Sequence, residues 1–387
     1  MYRRITNIIP QLREGVQTMK RVLHIAEAFG GGVFTFLVAL ANKTCEEFDV
    51  TIAYTVRPQT PLNYKELIDP RVHLIEMKEV QRSINLVQDM KGAMEIHQIY
   101  KKVKPDFVHL HSSKAGFLGR LVINCRKTNV AYTPHGFAFL KEDDSPFVRM
   151  MYKTIEKIGA LKGGAVIGVS KGEYEEALDL TNNAGFVNNG IELDPIKHLE
   201  IKDIDVAEGE KWKIGTLGRI CYQKNPMMFN RVAEHFYQDR FLWIGSGEMA
   251  DELQEANIRI SGWKAHDLAV ELLNNLDIFI LPSLWEGLPI SLLEAMYLKK
   301  ICIVSNVVGN RDVIIHGVNG FIAETKEDYI KIIQDIKDGK YDIKAIAERA
   351  HNDVLSVYNV DVMCAKYAKI YDSDLRVGNA GWIKQSI

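Results

Sequence analysis

The chain has 387 residues, 47% of them hydrophobic, a length that exceeds what one core ordinarily supports and predicts two domains. With 48 Lys+Arg against 50 Asp+Glu the formal net charge is -2. No basic surplus exists to neutralise a phosphate backbone, so nucleic acid is not expected as a partner.

Met1 to Thr18 show no apolar pattern, and we expect a disordered arm or a misassigned start, with Met19 as the initiator. From Met19 onward the short apolar runs RVLHIA, DVTIAY, VHLIE, FVHLH, VAYT, AVIGVS and GFVNN alternate with helical patterns such as NLVQDMKGAMEIHQIYKK. The charged stretch HLEIKDIDVAEGEKWK follows the turn Asn188-Asn189-Gly190 and has no periodic apolar face, which predicts a domain boundary near residue 200. Beyond it WKIGTL, FLWIG, IRISG, DIFILP and ICIVS repeat the alternation, and VDVMCAKYAKIYDSDL closes the chain as a helix. The expected fold class is α/β, with two Rossmann-like doubly wound parallel sheets, one in 19–200 and one in 201–358, followed by a helix and tail in 359–387.

The five cysteines are widely spaced and contain no C-x-x-C pair, which fits a reduced, cytoplasmic protein. No apolar run approaches the roughly 20 residues of a membrane-spanning helix. One helical segment, PFVRMMYKTIEKIGALK, carries Phe147, Met150, Met151 and Ile158 beside Lys153 and Lys157. Its apolar face could cover the sheet, or could rest peripherally on the inner face of a membrane.

Ligands of open parallel sheets bind outside the carboxyl ends of the strands, so the residues following each strand are the candidates. Gly30-Gly31-Gly32 follows the first strand, where backbone amides at a helix start can meet a phosphate; such a loop also serves to tighten a turn. It lacks the spacing of a dinucleotide fingerprint. His111-Ser112-Ser113, His135-Gly136 and Ser170 follow later strands of the first half. In the second half Arg219 and Lys224 leave the first strand as two cations suited to a diphosphate, or stand as solvated surface charges. Glu286 lies in a loop and Glu294 in the following helix, with Pro289 expected as its first residue; both carboxylates can accept hydrogen bonds from sugar hydroxyls.

Taken together, Gly218-Arg219 with Lys224-Asn225, then EGLPISLLEA, then VSNVVGNRDVIIHGVNGFI resemble the retaining glycosyltransferases of family 4, over about Met19 to about Asp374. The resemblance implies GT-B architecture, two Rossmann-like domains facing across a cleft, with a final helix that crosses back to the first. It implies that Arg219 and Lys224 bind the donor diphosphate, that Glu286 contacts hydroxyls of the transferred sugar, and that Glu294 grips the ribose. The amides following Gly287, at Leu288, meet donor oxygens. Gly30, Gly31 and Gly32 look like the family's N-terminal donor loop, and Gly262 like the loop near the nucleotide base. His135 in TPHGF looks like the histidine near the reacting sugar, as a general base or as a positioning group. The segment Gly309-Asn310-Arg311-Asp312 departs from the family pattern, where two glycines and a later glutamate are commoner, and is assigned no catalytic role.

The implied reaction moves a hexosyl or N-acetylhexosaminyl group from a nucleoside-diphosphate sugar, taken as a UDP-sugar, to a carbohydrate or lipid-linked carbohydrate acceptor, with retention. The sugar nucleotide is a co-substrate; no cofactor is expected, and no D-x-D motif or His/Cys cluster calls for a metal. Rival readings are a nucleotide-sugar epimerase or sugar phosphorylase of the same architecture, and a non-catalytic sugar-nucleotide-binding subunit. Nothing in the sequence speaks to the oligomeric state.

Overall fold

The structure, a computed structural model, describes residues 19–81, 85–141, 144–204, 206–207 and 209–376. The expected N-terminal arm, 1–18, and the end of the tail, 377–387, lie outside the described residues.

In the first half, β1 (Arg21–Phe29), β2 (Asp49–Val56), β3 (His73–Glu76), β4 (Phe107–His111), β5 (Asn129–Thr133), β6 (Ala165–Gly168) and β7 (Ala184–Phe186) form one sheet. The order is β3-β2-β1-β4-β5-β6-β7 and every pairing is parallel. The helices between them are α1 (Gly31–Thr44), α2 (Leu86–Val103), α3 (Ser113–Val122), α4 (Pro146–Leu161) and α5 (Lys171–Leu178).

The second half repeats the plan. Strands β8 (Lys213–Leu217), β9 (Arg240–Ile244), β10 (Ile258–Ile260), β11 (Ile278–Leu281), β12 (Ile301–Ser305) and β13 (Phe321–Ala323) form a parallel sheet in the order β10-β9-β8-β11-β12-β13. Its helices are α6 (Pro226–His235), α7 (His266–Asn274), α8 (Ile290–Tyr297), α9 (Asn310–Val313), α10 (Lys326–Lys337) and α11 (Ile343–Ser356), and α12 (Val360–Asp372) follows. Each predicted strand is present. One further strand, β13, is added.

The continuity of the apolar runs has a physical cause: a parallel strand covered by helices on both faces has no solvent side to alternate with. In β1, six consecutive residues from Val22 are buried. All five residues of β4 are buried too, its two histidines included.

The chain passes between the halves at one place. Ile191 N–H donates to Tyr358 O and Val360 N–H to Ile191 O, each at 3.0 Å, so the outgoing and returning segments are bonded to each other. After the outgoing strand, Ile191 and Ile196 enter the core of the second half beside Leu273 and Leu293. After the return, α12 packs on α1, and its Met363, Tyr367 and Tyr371 enter the core of the first half.

Among the described residues no helix is long and apolar enough to cross a membrane. Helix α4 buries only Glu156 and Gly159 on its inner face. Phe147, Met150 and Leu161 are left 78%, 70% and 86% exposed, so its apolar face points outward and does not cover the sheet.

Candidate active site

The carboxyl ends of the two sheets meet at a pair of glycine turns. In the first half, β5 ends at Thr133 and the chain reverses through His135, at φ 55°, and Gly136, at φ 98°. A left-handed histidine is strained, and such strain persists only where the surroundings over-determine it. Glu173 supplies the restraint: its carboxylate accepts the N–H of Gly136 at 2.5 Å and of Val169 at 2.7 Å. Burial pushes the Glu173 pKa up to about 7 against the pull of those two bonds. In sequence Glu173 is visible only as the last member of the helix-start pattern Ser170-Lys171-Gly172-Glu173, where Ser170 caps α5 by accepting Glu173 N–H at 3.2 Å.

From the second half, Gly287 comes against this turn. A Cβ placed on Gly287 would lie 3.1 Å from Gly136 N and 3.3 Å from the His135 carbonyl carbon, so any side chain there would press on the backbone of the turn. Beside it Glu286, 7% exposed, accepts a hydrogen bond from Lys224 Nζ at 2.6 Å. Gln223 donates to the Trp285 carbonyl at 2.9 Å and holds the loop below that ion pair. Leu288 puts its side chain into the core and its carbonyl against Asn189 Nδ2, which donates at 3.0 Å. Pro289 sits one position earlier than expected, at the N-cap of α8, because its ψ of 122° is extended.

Lys224 reaches Glu286 because the loop after β8 is short and ends in a capped helix. Asn225, at φ 52°, accepts Met228 N–H at 3.2 Å, and Pro226 opens α6. Arg219 takes a different partner: its Nε and Nη2 lie 3.0 and 2.9 Å from Glu248 Oε2, in a half-exposed pair. The structure thus joins Lys224 with Glu286, and Arg219 with Glu248, which follows the end of β9. Glu294 is also paired, since His266 Nε2 lies 2.7 Å from its Oε1. That bond raises the His266 pKa.

The remaining glycines divide by role. Gly30, the N-cap of α1, packs against Gln59, whereas Gly31, at φ 56°, and Gly32 open that helix with free space where a Cβ would stand, room that a ligand could use. Gly262, at φ 70°, is similarly open and bridges to Gly245, with exposed Trp263 beside it. Gly245 and Gly247 serve packing, because their Cβ atoms would lie 2.1 Å from Gly218 O and 2.0 Å from Ile220 O.

His135 is the cleft end of a row of imidazoles. His135 Nε2 lies 3.1 Å from His111 Nδ1, and His111 Nε2 lies 3.0 Å from His24 Nδ1. Burial holds the pKa of His24 and of His135 down to about 3 and depresses His111 and His109 as well. Among the described residues His24, His109 and His111 are the group whose nitrogens lie close enough to meet one cation. Apart from His24 Nε2, the nitrogens of these three rings bond to one another, to His135, to Tyr371 and to Thr133. A separate cavity of about 630 Å³ opens at the ends of β2 and β3, lined by Thr55, Arg57, Glu76 and Lys78, away from this junction.

Two sequence families divide the chain where the fold does. Residues 30–195 match the model of Glycosyltransferase Family 4, and residues 198–353 match that of glycosyl transferases group 1. The chain is a family 4 glycosyltransferase. It is 27% identical over 353 residues to the Escherichia coli UDP-Gal:alpha-D-GlcNAc-diphosphoundecaprenol alpha-1,3-galactosyltransferase, covering 84% of this chain and 89% of that one. The transferase is 25% identical over 381 residues to the Campylobacter jejuni N,N'-diacetylbacillosaminyl-diphospho-undecaprenol alpha-1,3-N-acetylgalactosaminyltransferase, covering 89% and 96%. Its fold is that of Anabaena HepE in complex with UDP and glucose, at TM-score 0.72 and 15% identity over 92% of this chain and 100% of that one. Sucrose-phosphate synthase from Thermosynechococcus elongatus shares it at TM-score 0.76 and 14% identity, over 91% and 98%.

Proposed function

We propose that this glycosyltransferase moves a hexosyl or N-acetylhexosaminyl group from a UDP-sugar to a lipid-linked carbohydrate acceptor in surface polysaccharide synthesis, with retention at the anomeric carbon. The observation that carries the reading is the junction of Lys224 and Glu286 with the His135-Gly136 turn, where Gly287 packs against Gly136. The acceptor class is supported by the two relatives above, both of which act on sugars attached to diphosphoundecaprenol.

On this reading Arg219 and Lys224 exchange their carboxylate partners for the donor diphosphate, and Glu286 turns to hydroxyls of the sugar. Glu294, set in α8 and steadied by His266, accepts from the ribose hydroxyls. The acceptor hydroxyl oxygen bonds to the anomeric carbon as the bond to the β-phosphate oxygen breaks, and the diphosphate leaves with the electron pair. The acceptor's proton passes to that departing oxygen on the same face. Cations already in place lower the barrier because their charge needs no reorganisation as the leaving group becomes negative. Gly30 to Gly32 and Gly262 flank the donor, the first toward the sugar and the second toward the base.

A membrane-borne acceptor also accounts for the outward apolar face of α4. Phe147, Met150 and Leu161 lie with exposed Lys157 on that helix and exposed Lys162 at its C-cap, the composition of a helix lying in an interface.

The deciding test combines a thermal-shift panel of UDP-, GDP-, ADP- and dTDP-sugars with product analysis on a polyprenyl-diphosphate sugar. Stabilisation by a UDP-sugar in the wild type, its loss in Glu294→Ala, and a product with the donor's anomeric configuration are expected. Sugar change without any acceptor would establish an epimerase in its place. Donor binding without turnover on any lipid-linked acceptor would overturn the transfer assignment.

A further inference from the structure

The row of imidazoles bears on the choice between base and positioning group at His135, and the inference here rests on the reading that His135 faces the donor sugar. His24 is on β1, His111 on β4 and His135 just beyond β5, three adjacent strands of the sheet, so the rings fall one strand apart. Successive rings are inclined by 24° at both steps. His109, two residues before His111, is not part of the row: its Nδ1 lies 2.9 Å from the Tyr371 hydroxyl and its Nε2 2.9 Å from Thr133 Oγ1.

A neutral imidazole has one N–H and one lone pair. Two consecutive nitrogen–nitrogen contacts of 3.0 and 3.1 Å therefore admit only arrangements in which all three rings point the same way. Either every ring is protonated at Nδ1, or every ring at Nε2. The far end of the row separates them, because His24 Nε2 is buried without a hydrogen-bond partner. Protonation at Nε2 would leave an orphan N–H in the core, the rarest kind of unmet polar group; protonation at Nδ1 leaves a bare lone pair there.

We propose that His24 and His111 are positioning residues that fix His135 in its Nδ1–H tautomer, so that the cleft meets a neutral hydrogen-bond donor aimed at an oxygen of the sugar or its diphosphate, and not a base. Among the described residues the row ends at His24 Nε2 with no hydrogen-bond partner beyond it to take a proton, so it orients His135 without conducting. A proton released by the acceptor hydroxyl consequently leaves with the diphosphate.

The experiment is imidazole ¹⁵N spectroscopy of the histidine-labelled full-length protein near neutral pH, with assignment by single substitutions. The wild type should show His24, His111 and His135 neutral and protonated at Nδ1. His24→Phe removes the first donor; it should mix the His111 and His135 tautomers and lower kcat about tenfold, the effect of one lost hydrogen bond, with donor KM unchanged. His24→Asn, whose amide nitrogen can donate from the place of Nδ1, should restore both spectrum and kcat. An Nε2–H signal for His135 in the wild type overturns the proposal. So does an unchanged His135 signal in His24→Phe, or a stoichiometric metal ion bound to the histidines. Should His24→Phe fail to fold, the wild-type and His24→Asn spectra decide alone. If no sugar nucleotide raises the melting temperature, the donor reading of the cleft fails while the tautomer assignment still rests on the spectra.

Discussion

The carboxylate of Asp312, on α9 of the second half, accepts the N–H of Gly172, on α5 of the first, at 3.0 Å. The same oxygen accepts Gly309 N–H at 3.0 Å, so one side chain both starts its own helix and fastens the two halves across the cleft. Asp312→Ala should lower unfolding free energy by about 1–3 kcal/mol, the scale of a hydrogen bond to a charged group. It should also enlarge the radius of gyration by favouring opening. Denaturant titration and small-angle scattering check this; an unchanged radius with unchanged stability would show that the bond does not hold the halves together.

Lys224 and Glu286 are bonded to each other in the free protein and, on the proposed reading, part to meet the donor. Lys224→Ala and Glu286→Gln should each reduce kcat/KM by about 100-fold to 1,000-fold, on the scale of losing one preorganised charge contact. Because the pair is bonded at 2.6 Å, the double variant should lose much less than the product of the two. Steady-state transfer kinetics measure the cycle, and full multiplicativity would mean that the residues serve separate steps.

Stability should depend steeply on acidity. Burial holds the folded pKa of His24 and His135 at about 3 against an ordinary value of 6.5, and lowers His109 and His111 too. The unfolded chain therefore binds protons that the folded chain refuses, and stability present above about pH 6.5 is lost on acidification, by about 1.4 kcal/mol per group per pH unit. Glu173, raised to about 7 from 4.5, works in the opposite sense: it favours folding below pH 4.5 and loses that contribution as pH rises through 7. Between pH 5 and 6 the histidines outnumber it, so urea midpoints should fall as pH falls. In Glu173→Gln that fall should be steeper, since the opposing group is gone.

Two glycines of positive φ should respond differently to alanine. Gly309, at φ 84°, would place a Cβ 2.1 Å from Gly287 O at the heart of the site, whereas Gly262, at φ 70°, has nothing within 4 Å. Gly262→Ala should cost about 1 kcal/mol, the left-handed backbone penalty alone. Gly309→Ala adds the collision and should cost more than about 3 kcal/mol. Parallel melting curves of the two variants test the comparison.

Arg120 and Glu156 join α3 to α4 through a 3.0 Å ion pair at 1% and 3% side-chain exposure, completed by Tyr132 OH donating to Glu156 at 2.8 Å. Arg120→Met should destabilise by about 3–5 kcal/mol by stranding a buried carboxylate. Adding Glu156→Leu should recover most of the loss. If it does not, the aliphatic contacts of Arg120 matter more than its charge.

Much of this architecture was legible before any coordinates, because a parallel strand buried on both faces must be written as an apolar run. The places of Arg219, Lys224, Glu286 and Glu294 after strand ends and at a helix start were legible as well, since those elements follow from local pattern. What escaped notice were partners distant in sequence. Glu248, His266 and Glu173 are ordinary surface-type residues by composition, and only folding sets each against Arg219, Glu294 and Gly136. The outward turn of α4 was equally hidden: its hydrophobic period is the same whether the apolar face meets a core or the outside.

The sequence by itself determined the two α/β halves, the chain order of the strands and the glycine turns that leave room for a ligand, because these follow from local periodicity and backbone conformation. The tertiary structure decided which carboxylate each cation holds, that Gly287 meets the His135 turn, and that His24 stands behind His111. Those relationships join residues dozens to hundreds of positions apart, and sheet order and packing bring them together where no local preference could.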